Sequence, residues 1–123
     1  MTRPPLALLL VSADTARLRA ALTFARAEIA VGGTAHLFLQ GEAAALLRPP
    51  VSDPRDAAWV AAGDPTLATL LDEALDDGAR ISLCQSGLAL VGMTADQLNR
   101  RIELTGPVAF LAEVGPDMRL MAL

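Results

Sequence analysis

The sequence predicts an α/β fold, a parallel sheet of five strands with helices on both faces. Two observations carry this. Short apolar runs without polar alternation recur along the chain, as strands buried on both faces require. Each run is followed by residues at helical spacing or by helix-capping residues, the pattern of a sheet wound by crossovers. The composition agrees: 53% of the 123 residues are hydrophobic and only 3% aromatic, so Leu, Ala and Val must build the core. A covered parallel sheet raises that apolar count, and so does surface buried against other subunits.

Residues 6–11 (Leu-Ala-Leu-Leu-Leu-Val) form the first strand. Ser12 or Asp14 caps the next helix, in which Leu18, Ala21, Leu22, Ala25 and Ile29 recur at helical spacing before Gly32-Gly33 stops it. Residues 35–39 form the second strand, and Gln40-Gly41 turns into a short Ala/Leu helix that ends before Pro49-Pro50. Residues 49–65 are irregular, with Pro49, Pro50, Pro54 and Pro65, and accommodate a helix within 56–62. Asp64 then caps a helix with Pro65 at its first position, Leu67, Leu70, Leu71 and Leu75 as its buried stripe and Gly78 as its stop.

Residues 79–84 form the third strand, ending on Cys84. A short helical segment over 86–90 closes near Gly92, and Thr94 caps a helix over 95–101. Residues 102–105 are the fourth strand, Pro107 opens a helix through 114, and 118–123 are the closing strand. Right-handed crossovers then favour the flavodoxin-like order 2-1-3-4-5, a three-layer sandwich spanning 1–123 as one domain.

The charge pattern narrows the function. The net charge is -4 and all ten basic residues are Arg. Without Lys there is no Schiff-base lysine and no phosphate-loop lysine. An acidic chain with scattered cations argues against nucleic acid and anionic membranes as partners. The lone Cys fits a reducing cytoplasm, and the first apolar run is too short to span a membrane.

In the predicted order the topological switch lies between the first and third strands, so Ser12-Ala13-Asp14 faces Cys84-Gln85-Ser86-Gly87. Gln40-Gly41-Glu42 and Thr105-Gly106 flank them. The candidate catalytic residue is Cys84, beside helix N–H groups that favour a thiolate. The candidate pocket residues are Ser12, Asp14, Gln40, Gly41, Gln85, Ser86 and Gly87. Each has a plainer reading. A Cys at a strand end is often a small buried hydrophobe, Ser12 and Asp14 serve as helix caps, and Glu42 is a first-turn acid. His36 stands away from the rim as a structural residue, and Trp59 is a packing anchor.

No Gly-x-Gly-x-x-Gly or Walker motif is present, so dinucleotides and NTPs are poorly supported as cofactors. A phospho-acceptor receiver needs an Asp where Cys84 stands, and a Lys. A flavin would want a better phosphate loop than Ser12-Ala13-Asp14. One Cys and one distant His give no metal-ligand spacing. The expectation is no cofactor and no metal.

The chain resembles the DsrE/DsrF-like family over nearly its whole length. The likeness rests on the Leu-rich first strand with its long helix ending in Gly32-Gly33, and on Phe38-Leu39-Gln40-Gly41-Glu42. It also rests on the helix from Leu67 to Asp77 leading through Gly78 into Ile81-Ser82-Leu83-Cys84, and on the spacing from Cys84 to Gly92. The resemblance implies trimers or hexamers, and a Cys at this position that carries sulfur as a persulfide between partner proteins. Some members have a second Cys three residues on, where this chain has Gly87. Two readings follow: a sulfur carrier of sulfurtransferase type loading Cys84, with a sulfur donor or acceptor protein as partner, or a non-enzymatic oligomeric assembly module with a small-ligand crevice.

Overall fold

The apolar runs become β1 (Leu6–Leu10), β2 (Ala35–Leu39), β3 (Arg80–Cys84), β4 (Glu103–Thr105) and β5 (Arg119–Ala122) in a computed structural model that describes residues 3–123. All neighbouring strands pair in parallel. Between them lie α1 (Thr15–Ala30), α2 (Asp56–Ala61), α3 (Leu67–Asp76), α4 (Gln85–Leu90) and α5 (Pro107–Val114), with short 3-10 helices at Gly41–Leu47 and Ala95–Gln97.

The fold class is the expected one, and the strand order is corrected. It is β4-β3-β2-β1-β5, not 2-1-3-4-5. The reason lies in where α3 packs. Arg26 of α1 reaches Glu73 at 2.6 Å and Asp77 at 2.7 Å, clamping the end of α3 beside α1 on one face. A right-handed crossover whose helix shares α1's face must advance in the same direction as β1 to β2. The chain therefore steps outward from β1 to β4 and returns to β5, with α5 alone on the other face.

Strand alternation sorts the core accordingly. Leu8, Leu10, Leu37, Leu39, Ile81 and Leu83 point into the larger cluster, under α1, α3, α4 and the first 3-10 helix. Ala7, Phe38 and Cys84 point the other way, against Phe110 and Val114 of α5.

The Pro-rich connection is fastened down by one side chain. Buried Arg19 donates to Asp53 Oδ2 at 3.0 Å, Asp56 Oδ1 at 2.8 Å and the Pro65 carbonyl at 3.0 Å. Its guanidinium also lies 4.8 Å from the Trp59 ring centre. Trp59 thus packs as an anchor in this segment. The same network moves the start of α3: with Pro65 held by Arg19 and the Leu67 N–H given to Asp56, the cap is Thr66, not Asp64. The helix expected over 95–101 contracts to the 3-10 turn Ala95–Gln97, opened by a capping box between Thr94 and Gln97. Asn99 ends it by accepting the Arg101 N–H. Among the described residues no helix is long and apolar enough to cross a membrane.

Candidate functional site at the end of the third strand

Cys84 is the last residue of β3 and the N-cap of α4, with extended φ −68° and ψ 132°. That geometry carries its side chain back over the first turn of α4. Its Sγ lies 3.1 Å from Ser86 Oγ. Burial pushes the thiol pKa up, but the Ser86 hydroxyl and the backbone N–H groups of Ser86 and Gly87 outweigh it and hold the thiol below its ordinary value. Hydrogen bonds to the charged form favour that form.

Cys84 as a residue is only 5% exposed. It belongs to a small apolar cluster that also holds Ala7, Phe38, Phe110 and Val114. Phe38 and Phe110 stack with ring centres 4.8 Å apart. None of these residues was a candidate site residue in the sequence. The signals were present in the alternation of β2 and in the helix at Pro107, but using them needed the strand order.

Around the rim, the corrected order changes who meets whom. β2 lies between β1 and β3, so the Gln40-Gly41 turn borders the Cys84 turn directly. On the other side Thr105 pairs in register with Cys84. Ser12 and Asp14 follow β1 and sit one strand further away, about 10 Å across the sheet at the usual strand spacing. Asp14 caps α1 by accepting the N–H groups of Ala16 and Arg17. Ser12 Oγ is buried without a hydrogen-bond partner among the described residues. Gln85 and Ser86 are exposed on the first turn of α4, and Gly87 is buried.

Gly41 and Gly87 are in close approach. A Cβ at position 87 would lie 2.8 Å from the Gly41 carbonyl oxygen and 3.1 Å from its nitrogen. The left-handed φ of 61° at Gly41 shapes the turn that brings this carbonyl in. No side chain fits at 87 without moving the chain, so a second thiol three residues after Cys84 is sterically barred. Cys84 therefore has no second thiol in its own loop.

His36 Nε2 pairs with buried Ser82 Oγ at 2.6 Å, and the ring meets Phe110 edge-on at 4.8 Å. Burial, then the Arg80 cation, pushes its pKa down, while Glu103 and Glu113 pull it up. Its hydrogen bond goes to Ser82 and none goes to Cys84. No group of three or more His, Cys, Asp or Glu among the described residues is arranged to hold a metal ion.

The model of the DsrE/DsrF-like family matches residues 7–117 of the chain. Among solved structures, a protein of unknown function from Methanobacterium thermoautotrophicum superimposes with a TM-score of 0.72 at 13% identity, covering 98% of this chain and 100% of its own. The ychN protein from E. coli gives a TM-score of 0.71 at 14% identity, with 100% of both chains covered. Such low identities make this a likeness of fold. No curated protein matches the sequence.

Proposed function

The chain belongs to the DsrE/DsrF-like family, and from that premise we propose that it is a thiol-based sulfur carrier with Cys84 as the acceptor. The observation that carries the reading is the set of donors around Cys84 Sγ: the Ser86 hydroxyl and the N–H groups of Ser86 and Gly87 stabilise its thiolate. The thiolate is the reactive form of a cysteine. In the loading step it attacks the terminal sulfur of a donor persulfide. A new S–S bond forms on Cys84 as the donor's S–S bond breaks, and the donor leaves as its thiolate. In the unloading step an acceptor thiolate attacks the terminal sulfur of Cys84–S–SH and releases the Cys84 thiolate. Each transfer conserves sulfane sulfur and needs no external oxidant. Gln85, Ser86, Gly87, Gln40 and Gly41 shape the rim through which donor and acceptor approach.

The burial of Cys84 favours the rival, a non-enzymatic assembly module in which this residue only packs. Intact mass after brief exposure to a persulfide donor at pH 7 separates the two, beside Cys84→Ser. A gain of one reducible sulfur on the parent alone supports the carrier. No gain, with a thiol that resists alkylation until unfolding, supports the module.

Self-association in a reducing cytoplasm belongs to both readings. The α5 face is covered by one helix, and it leaves Val108 at 83%, Leu120 at 54% and Leu111 at 51% exposed. Leu120 stands beside Ala7 in the sheet, so these side chains share one side of the molecule. Clustered exposed apolar groups of this kind mark interfaces. A stable monomer by light scattering at micromolar concentration would refute it.

A further inference from the structure

On the face of the sheet opposite Cys84, an open pocket of about 500 Å³ lies between the Pro-rich connection, α3 and the loop after Ala95–Gln97. Leu47, Leu71, Leu98 and Ile102 form its floor, all of them members of the larger core cluster. Pro49, Pro50 and Val51 make one wall, and that wall is held in place by the Arg19 network at Asp53. The pocket is therefore preformed and apolar, with the size of a small-molecule site.

Its rim is polar and has a definite bias. Gln97 Oε1 accepts the Thr94 N–H, and Asn99 Oδ1 accepts the Arg101 N–H, both at 2.9 Å. With their oxygens engaged, both amides keep their NH2 groups as donors. Of the two acids on the rim, Asp72 shares Arg101 with Asp76, at 3.4 Å against 2.6 Å, and Asp96 accepts the Thr94 hydroxyl while keeping its negative charge. Arg100 also lines the pocket and makes no ion pair among the described residues. The rim's unpaired cation is thus one guanidinium, with two amide donors beside it, groups suited to an anionic oxygen head.

We propose that this pocket binds a small amphipathic carboxylate. Its hydrocarbon body covers the Leu47, Leu71, Leu98 and Ile102 floor, and its carboxylate meets Arg100 with support from Gln97 and Asn99. The pocket opens on the other side of the sheet from the sulfur, so its occupancy does not depend on the Cys84 chemistry.

Calorimetric titration of the full chain with octanoate, beside octanol, tests this. Saturable one-to-one binding of octanoate is expected, about tenfold weaker for Arg100→Gln, the size of one lost charge-assisted contact. Octanol is expected to bind more weakly than octanoate and to respond little to Arg100→Gln. Ala68→Phe, which fills the pocket from α3, is expected to abolish binding while the melting curve stays cooperative. Cys84→Ser is expected to bind as the parent does. Absence of saturable binding overturns the proposal, and so does equal binding of octanol and octanoate. Unchanged affinity in Arg100→Gln overturns the carboxylate class. A change of oligomeric mass in Ala68→Phe without octanoate binding by the parent would assign the pocket to a contact between copies instead.

Discussion

Replacing Arg19 with Met removes the guanidinium and keeps the apolar stem, a direct test of how the Pro-rich connection is held. Arg19 and Asp53 are each 5% exposed, so the change strands a buried carboxylate. Removing one partner of a buried ion pair costs about 3–5 kcal/mol. The lower end applies here because neither acid loses all its donors. Asp53 keeps the Arg55 N–H at 2.9 Å and the Thr15 hydroxyl at 3.1 Å, and Asp56 keeps the N–H groups of Asp53 and Leu67. We expect a loss of about 3 kcal/mol. For 123 residues, an unfolding entropy of roughly 2.1 cal/mol/K per residue turns that into a fall in Tm of about 12 °C. With a urea m-value near ~2 kcal/mol/M the midpoint drops by about 1.5 M. The assay is thermal and urea unfolding of the parent, Arg19→Met, Asp53→Asn and the double variant. The two single losses are expected to exceed the double loss in sum by more than about 1 kcal/mol, because the residues share one network. A single-variant loss below about 1 kcal/mol, the range of a solvated surface pair, would refute the reasoning.

Ser86→Ala removes the side-chain donor to Cys84 Sγ and is expected to raise the thiol pKa, so alkylation by iodoacetamide slows more at pH 7 than at pH 9. An unchanged pH–rate profile would mean that the hydroxyl does not tune the sulfur. Gly87→Ala places a Cβ 2.8 Å from the Gly41 carbonyl and should cost about 1–3 kcal/mol in urea unfolding, the usual range for overpacking. A cost within ~0.5 kcal/mol, typical of an uneventful surface change, would deny the close approach. Hydrogen bonds from Arg3 and then Arg119, against the opposing effect of burial, lower the Glu28 pKa from 4.5 to about 2. As pH falls the unfolded chain takes up this proton first, so the contribution of Glu28 is complete above 4.5 and is lost towards 2. His36 is also shifted down, so the unfolded chain protonates first below 6.5 and stability declines from there as well. Unfolding free energies measured from pH 7 to 2 should fall throughout, and Glu28→Gln should flatten only the acid end.

The candidate site was legible as a position and not as an environment. The end of β3 was marked by the apolar run into Cys84 and by the Gln85-Ser86-Gly87 turn, because local backbone signals place strand ends and helix starts. The neighbours of that sulfur were not legible. Phe38 and Phe110 are 46 and 26 residues from Cys84 in the chain, and only the packing of α5 across the returning crossover gathers all three into one cluster. The expected pairing of the Ser12 and Cys84 loops depended on a strand order in which β1 and β3 are neighbours, and β2 separates them.

The helix over 95–101 and the cap of α3 teach the same lesson at smaller scale. Thr94 is a cap in both readings, but Asn99 and Arg101 draw the chain out of helix after Gln97. Asp64-Pro65 has the form of a helix start, and long-range bonds from Arg19 and to Asp56 shift the start to Leu67.

By itself the sequence determined that this chain is a parallel α/β sheet with a lone thiol at the end of its third strand. Unbroken apolar runs between capped helices leave little else for the backbone to do. Only the tertiary structure decided the order of the strands, the aromatic cluster that Cys84 joins and the pocket at Arg100. The physical reason is that right-handed crossovers permit several orders. The order follows from α3 packing beside α1 on one face, in contacts between residues about fifty apart in the chain, Arg26 with Glu73 and Asp77 among them.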